Sequence, residues 1–170
     1  QIDWTDFRVG GNGFFRAPVL LTGSTEAILI DGGFTLPDGQ AVADAITATG
    51  LNLTTIYISQ SDPDFYFSLG PIKAAFPDAR VLAASDTLEA IQGNVEKKIA
   101  AWGPKLGENG PQSVDEIVFP EAYDDPTLAL EGTTIDIVTA TNLPNRRYLW
   151  VPSLEAIFGG VMVFSGVHVW

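Results

Sequence analysis

The chain of 170 residues is 46% hydrophobic and 18% charged, which excludes a disordered segment and suits a single domain, residues 1–170, with a sizeable core. Its 21 acidic and 9 basic side chains give a net charge of −12, with no basic cluster larger than Arg146-Arg147, so nucleic acid and anionic membrane surfaces are excluded as expected partners. The absence of cysteine excludes disulfides, thiolate metal sites and cysteine nucleophiles, and no run approaches the roughly 18 apolar residues of a membrane span.

In chain order, the apolar runs FFRAPVLLTG and EAILIDGG flank Gly23-Ser24-Thr25 and read as a pair of strands joined by a turn. VGGNGF, from Val9 to Phe14, has the glycines of a phosphate loop but no following Lys-Ser or Lys-Thr helix, so it reads as a turn. Val42, Ala45, Ile46 and Thr49 stand at helical spacing after the start signal Pro37-Asp38-Gly39. LTTIYIS (Leu53 to Ser59) predicts a strand, Ile72 to Phe76 a short helix closed by Pro77, and ARVLAAS (Ala79 to Ser85) another strand. A longer amphipathic helix opens at Asp86 and carries Ile91, Val95, Ile99 and Trp102, with Gly103-Pro104 expected to end it. Beyond it EIVF, TLALEG, TIDIVTA, RRYLWV and EAIFGGVMVF predict a meander of strands. Helices between strands early and strands alone late imply a layered α/β sandwich.

The stretch YISQSDPDFYFSL, Tyr57 to Leu69, carries the most chemical information. In Asp62-Pro63-Asp64 an N-cap residue is followed by proline at the first helical position and by an acid in the first turn, a reading that needs no function. Ser59, Ser61 and Ser68 lack a histidine or lysine at a spacing that could activate them, and they read as turn and cap hydroxyls. His168 is the only histidine and cannot by itself replace a multi-histidine site.

The same stretch resembles the metal loop of the metallo-β-lactamase superfamily, which runs Thr-His-x-His-x-Asp-His between a strand and a short helix. Laid on that motif, Ser59 takes the threonine, Gln60 the first histidine, Asp62 the second, Asp64 the aspartate and Phe65 the last histidine; only Asp64 matches. AILIDGGF is similar to the family strand that ends in a buried acid bracing the loop, which the resemblance assigns to Asp31, and LGPIKAAFPDARVLA is similar to the helix and strand that follow. WVPSLEAIFGGVMVFSGVHVW resembles the strand pair that supplies a bridging aspartate, whose place falls to Val161, while the family's Gly-His-Thr turn falls near Thr141 and Asn142.

The resemblance implies a four-layer αββα sandwich of metallo-β-lactamase type whose C-terminal layer, placed by the family after Trp170, is incomplete. It implies a protein that has lost its zinc ligands and acts by small-molecule or protein binding, with no cofactor; the alternative is a hydrolase of ester-like or lactone-like substrates working through an oxygen-ligated hard cation on Asp62 and Asp64. Asp31, Tyr66, Phe67 and Tyr148 are the expected lining of a pocket beside the emptied site, with Trp102 and Trp150 approaching it. The uncovered sheet is expected to recruit a second copy of the chain or a bound C-terminal fragment. The start at Gln1 is expected of a trimmed chain, and it leaves a periplasmic or secreted location as open as a cytoplasmic one.

Overall fold

The computed structural model describes residues 1–7 and 18–159. VGGNGF, Val161 and His168 lie outside the described residues. Within them a six-stranded sheet has the order β1 (Asp3–Asp6), β2 (Val19–Thr22), β3 (Glu26–Ile30), β4 (Asn52–Tyr57), β5 (Arg80–Ala83), β6 (Glu121–Ala122). β1, β2 and β3 pair antiparallel, and β3 through β6 pair parallel. A second, four-stranded antiparallel sheet is built from β7 (Thr127–Leu130), β8 (Thr133–Thr139), β9 (Arg147–Val151) and β10 (Ala156–Phe158).

The parallel half is wound by α1 (Leu36–Thr49), α2 (Pro63–Tyr66), α3 (Leu69–Ala75) and α4 (Ser85–Leu106). Thr35 caps α1, its hydroxyl accepting the Asp38 N–H, and Gly50 ends the helix in the left-handed conformation. Val42, Ile46, Leu69, Ile72, Ile91, Val95 and Ile99 all enter one core with Leu29, Ile56 and Ile58. All four helices therefore cover the same face of the first sheet. Its other face, through Leu21, Ile28, Ile30 and Tyr57, packs on Leu128, Leu130, Ile135, Leu149 and Val151 of the second sheet. Strand alternation sends neighbouring side chains to opposite faces, so one sheet feeds two cores. The order of layers is helices, sheet, sheet, which are three of the four layers of an αββα sandwich.

The sheets are also fastened turn to turn at the ends of their strands. Glu131, in the turn between β7 and β8, accepts hydrogen bonds from the N–H and hydroxyl groups of both Ser24 and Thr25 in the β2–β3 turn.

One strand was not foreseen, and three local expectations are corrected. β1, whose sequence DWTD has no apolar alternation, forms because its backbone pairs with β2. The short helix starts at Leu69, ahead of Ile72, directly after α2. α4 runs past Gly103-Pro104 to Leu106; proline removes only one helical hydrogen bond, and the Gln112 amide donates to the Gly103, Gly107 and Gly110 carbonyls at 3.0, 2.6 and 3.1 Å, holding the last turn. EIVF is not a strand: a 3₁₀ turn spans Val114–Glu116, and Ile117, Val118 and Phe119 pack against the helix-side core.

Candidate functional site

β3 ends at Asp31, which is 6% exposed and holds a left-handed φ of 65°. The Asp31 N–H donates to the Tyr57 carbonyl at 2.8 Å, so the two parallel strands stop together. The chain after β4 then folds back onto the Asp31-Gly32-Gly33 turn. Asp31 Oδ1 accepts the Ser59 N–H and Oδ2 accepts the Ser59 hydroxyl, both at 2.8 Å. Gly32 N–H donates to the Phe65 carbonyl at 2.8 Å, and Ser68 N–H to the Gly33 carbonyl at 3.3 Å. A methyl group on Gly32 would stand 2.6 Å from Leu69 Cδ2 and 3.2 Å from the Phe65 carbonyl oxygen, so only glycine admits this approach. Asp31 thus stands where the resemblance puts the bracing acid and braces the loop there.

The second half of the site comes from the β8–β9 connection. Arg147 N–H donates to the Ser59 carbonyl at 2.8 Å, and its guanidinium meets Asp86 at 3.0 Å. The Thr87 hydroxyl donates to the Asn145 carbonyl at 3.1 Å, while Asp124 accepts the Ser85 N–H at 2.9 Å. That backbone bond, with the Ser85 hydroxyl, holds the Asp124 carboxyl below its usual range. The first turn of α4 therefore anchors the 140–147 loop against the β4 end. The loop turns twice through left-handed asparagines, Asn142 at φ 61° and Asn145 at φ 63°, a conformation asparagine tolerates.

Each expected site residue that lies among the described ones has a definite place. Gln60 is 1% exposed, and its Nε2 has no hydrogen-bond partner among the described residues. Asp62 takes the N-cap position of α2 with Pro63 behind it, but its carboxylate makes no capping bond. It faces the Arg146 guanidinium at 4.0 Å. Asp64 lies half-buried in the first turn of α2, and Phe65 is buried. Thr141 and Asn142 are exposed. Tyr66 and Phe67 are buried in the helix-side core, where Phe67 stacks on Phe34 at 5.9 Å and Trp102 meets Phe34 edge-on at 5.3 Å. Tyr148 and Trp150 stand apart from them: they flank Leu149, which points into the core between the sheets, and so belong to the outer face of the second sheet.

Two residues were not singled out by the sequence. Arg146 supplies the countercharge to Asp62; its only signal is membership of the chain's one adjacent arginine pair. Tyr57 is fully buried at the end of β4, and its hydroxyl has no partner among the described residues. Burial pushes its phenol far above the usual range, against the opposing pull of the Arg147 guanidinium. The Tyr66 hydroxyl is also buried without a partner among the described residues, and burial, then the Asp62 carboxylate, raises it similarly.

A zinc site takes about four nitrogen, sulfur or carboxylate ligands. Among the described residues no group of three or more histidine, cysteine, aspartate or glutamate side chains could hold a metal ion. At the motif positions stand a neutral amide (Gln60), a carboxylate facing a guanidinium (Asp62), the matching Asp64 and a phenyl ring (Phe65), which together with the absence of histidine fall short of a zinc ligand set. The described residues do not fit the metal of the family motif.

No protein-family model matches the sequence, and no curated protein does. The fold, in contrast, is similar to solved structures. BLEG-1, a B3 metallo-β-lactamase, shares 14% identity over 96% of this chain and 74% of its own, with a TM-score of 0.69. A metallo-β-lactamase family protein from Thermus thermophilus shares 16% over 98% and 60%, with a TM-score of 0.64. MEM-A1, a subclass B3 metallo-β-lactamase isolated from a soil metagenome library, shares 18% over 87% and 53%, with a TM-score of 0.60. The chain thus spans 53% to 74% of the lengths of these proteins. Likeness at such identities concerns architecture, and on that ground the chain has the metallo-β-lactamase fold.

Proposed function

We propose that this protein uses the metallo-β-lactamase fold for binding without metal chemistry, its ligand a small molecule or a protein surface. The observation that carries the reading is the Asp62–Arg146 pair. A carboxylate aligned with a metal ligand faces a cation of the chain itself, across a long and part-exposed contact of 4.0 Å, where a metal ligand set would need further ligands. Phe65, buried where the motif has a histidine, supports the same reading, because a buried ring offers no ligand and contributes apolar packing. Zinc is therefore not expected as a cofactor, and the fold's name carries no substrate with it.

The experiment is a thermal-shift screen of small molecules run beside hydrolysis assays on ester and lactone substrates, with and without added divalent metal. Ligands that raise the melting temperature without turnover support binding. Metal-dependent turnover that disappears in Asp62→Asn would establish the hydrolase instead.

A further inference from the structure

Arg147 N–H to Ser59 carbonyl and Arg146 to Asp62 are two contacts that place Gln60 between them in sequence, so the 146–147 segment lies along the Gln60 loop. Gln60 is 1% exposed, and among the described residues its Nε2 has no partner. A buried donor left unmade costs about 1–3 kcal/mol, which a ligand acceptor would relieve. The Tyr66 hydroxyl, also buried and unpartnered among the described residues, lies near enough to Asp62 to feel its charge.

The Arg146 side chain is 32% exposed, and its ion pair with Asp62, at 4.0 Å, is long. A guanidinium has five N–H donors arranged for a carboxylate, and this pair leaves most of that capacity unused. Arg147 differs: its side chain is 13% exposed and held at 3.0 Å by Asp86. One arginine is structural and the other is available.

We propose that the site has inverted its charge preference and that Arg146, with Gln60, receives the carboxylate of a small organic acid where a metal loop would receive a cation. This rests on the binding reading above and names its ligand class. The net charge of −12 works against an anion at long range, but beyond a Debye length of about 8 Å at physiological salt such repulsion is largely screened, and the local donors decide. Asp62 is then a competitor for Arg146, an internal carboxylate that the ligand's carboxylate displaces.

The test is an NMR titration of ¹⁵N-labelled protein with succinate, and separately with the neutral succinamide, following the Gln60 side-chain amide and the Arg146 Nε–H. Succinate is expected to shift both signals. Arg146→Gln should weaken it at least about tenfold, the loss of a charge-assisted contact, and Asp62→Asn should tighten it by removing the competitor. Equal binding of succinate and succinamide would overturn the carboxylate assignment while leaving the binding reading intact. Weaker succinate binding in Asp62→Asn would also overturn the assignment. If neither compound moves either signal, while zinc shifts the Asp62 loop in the native chain and not in Asp62→Asn, both readings fall.

Discussion

The Asp31 carboxylate accepts both the backbone N–H and the hydroxyl of Ser59, each at 2.8 Å and both buried. One acid at the end of β3 therefore sets where the loop after β4 begins, whether or not any metal lies beyond it. Ser59→Ala removes the hydroxyl donor and leaves the N–H bond. A buried hydrogen bond of a charged group is worth roughly 1.5–3 kcal/mol, so urea unfolding should show a loss of that order. An unchanged midpoint would mean that the hydroxyl contact contributes nothing.

Glu131 offers a second check through pH. The Thr25 hydroxyl, then the Ser24 N–H, draw its carboxyl down from 4.5 to about 2. A folded-state value below the unfolded one gives stability that is fully present above the unfolded value and lost as pH falls through the folded value. The melting temperature of the native chain should therefore exceed that of Glu131→Gln above pH 4.5, and the gap should close between 4.5 and about 2. A gap that persists undiminished at the acid end would point to packing instead of charge.

How far these relationships were legible in sequence depended on their range. Asp31, at the end of an apolar strand and before two glycines, announces itself locally, and the loop from Ser59 to Phe65 keeps the spacing of a motif even with its ligands replaced. The strands from β7 to β10 follow from alternation and turns. By contrast, α4 outruns Gly103-Pro104 because Gln112 returns to its last carbonyls, and no local rule anticipates that. β1 exists through its partner strand. The Asp62–Arg146 pair joins connections of different sheets, and before folding Asp62 reads as a helix cap, a bond it does not make. Tyr148 reads as a neighbour of Phe67 until strand alternation sets it on another face.

Phe65→His recreates the last histidine of the motif and tests whether the position still wants one. Phe65 is 4% exposed and packs in the helix-side core. Exchanging the ring for a polar one with no partner should cost on the order of 2 kcal/mol, measured by denaturant unfolding. Zinc should not restore the loss; full rescue by zinc would show that the remaining groups form a metal site.

The most direct measurement of the central claim is the melting temperature of the unmodified chain across a zinc titration, with a chelator control. A metal that binds only the folded state must raise that temperature. The account predicts one melting temperature throughout, because Asp62 is matched by Arg146 and Gln60 and Phe65 cannot replace imidazoles. A rise of several degrees at micromolar zinc, abolished by the chelator, would contradict it.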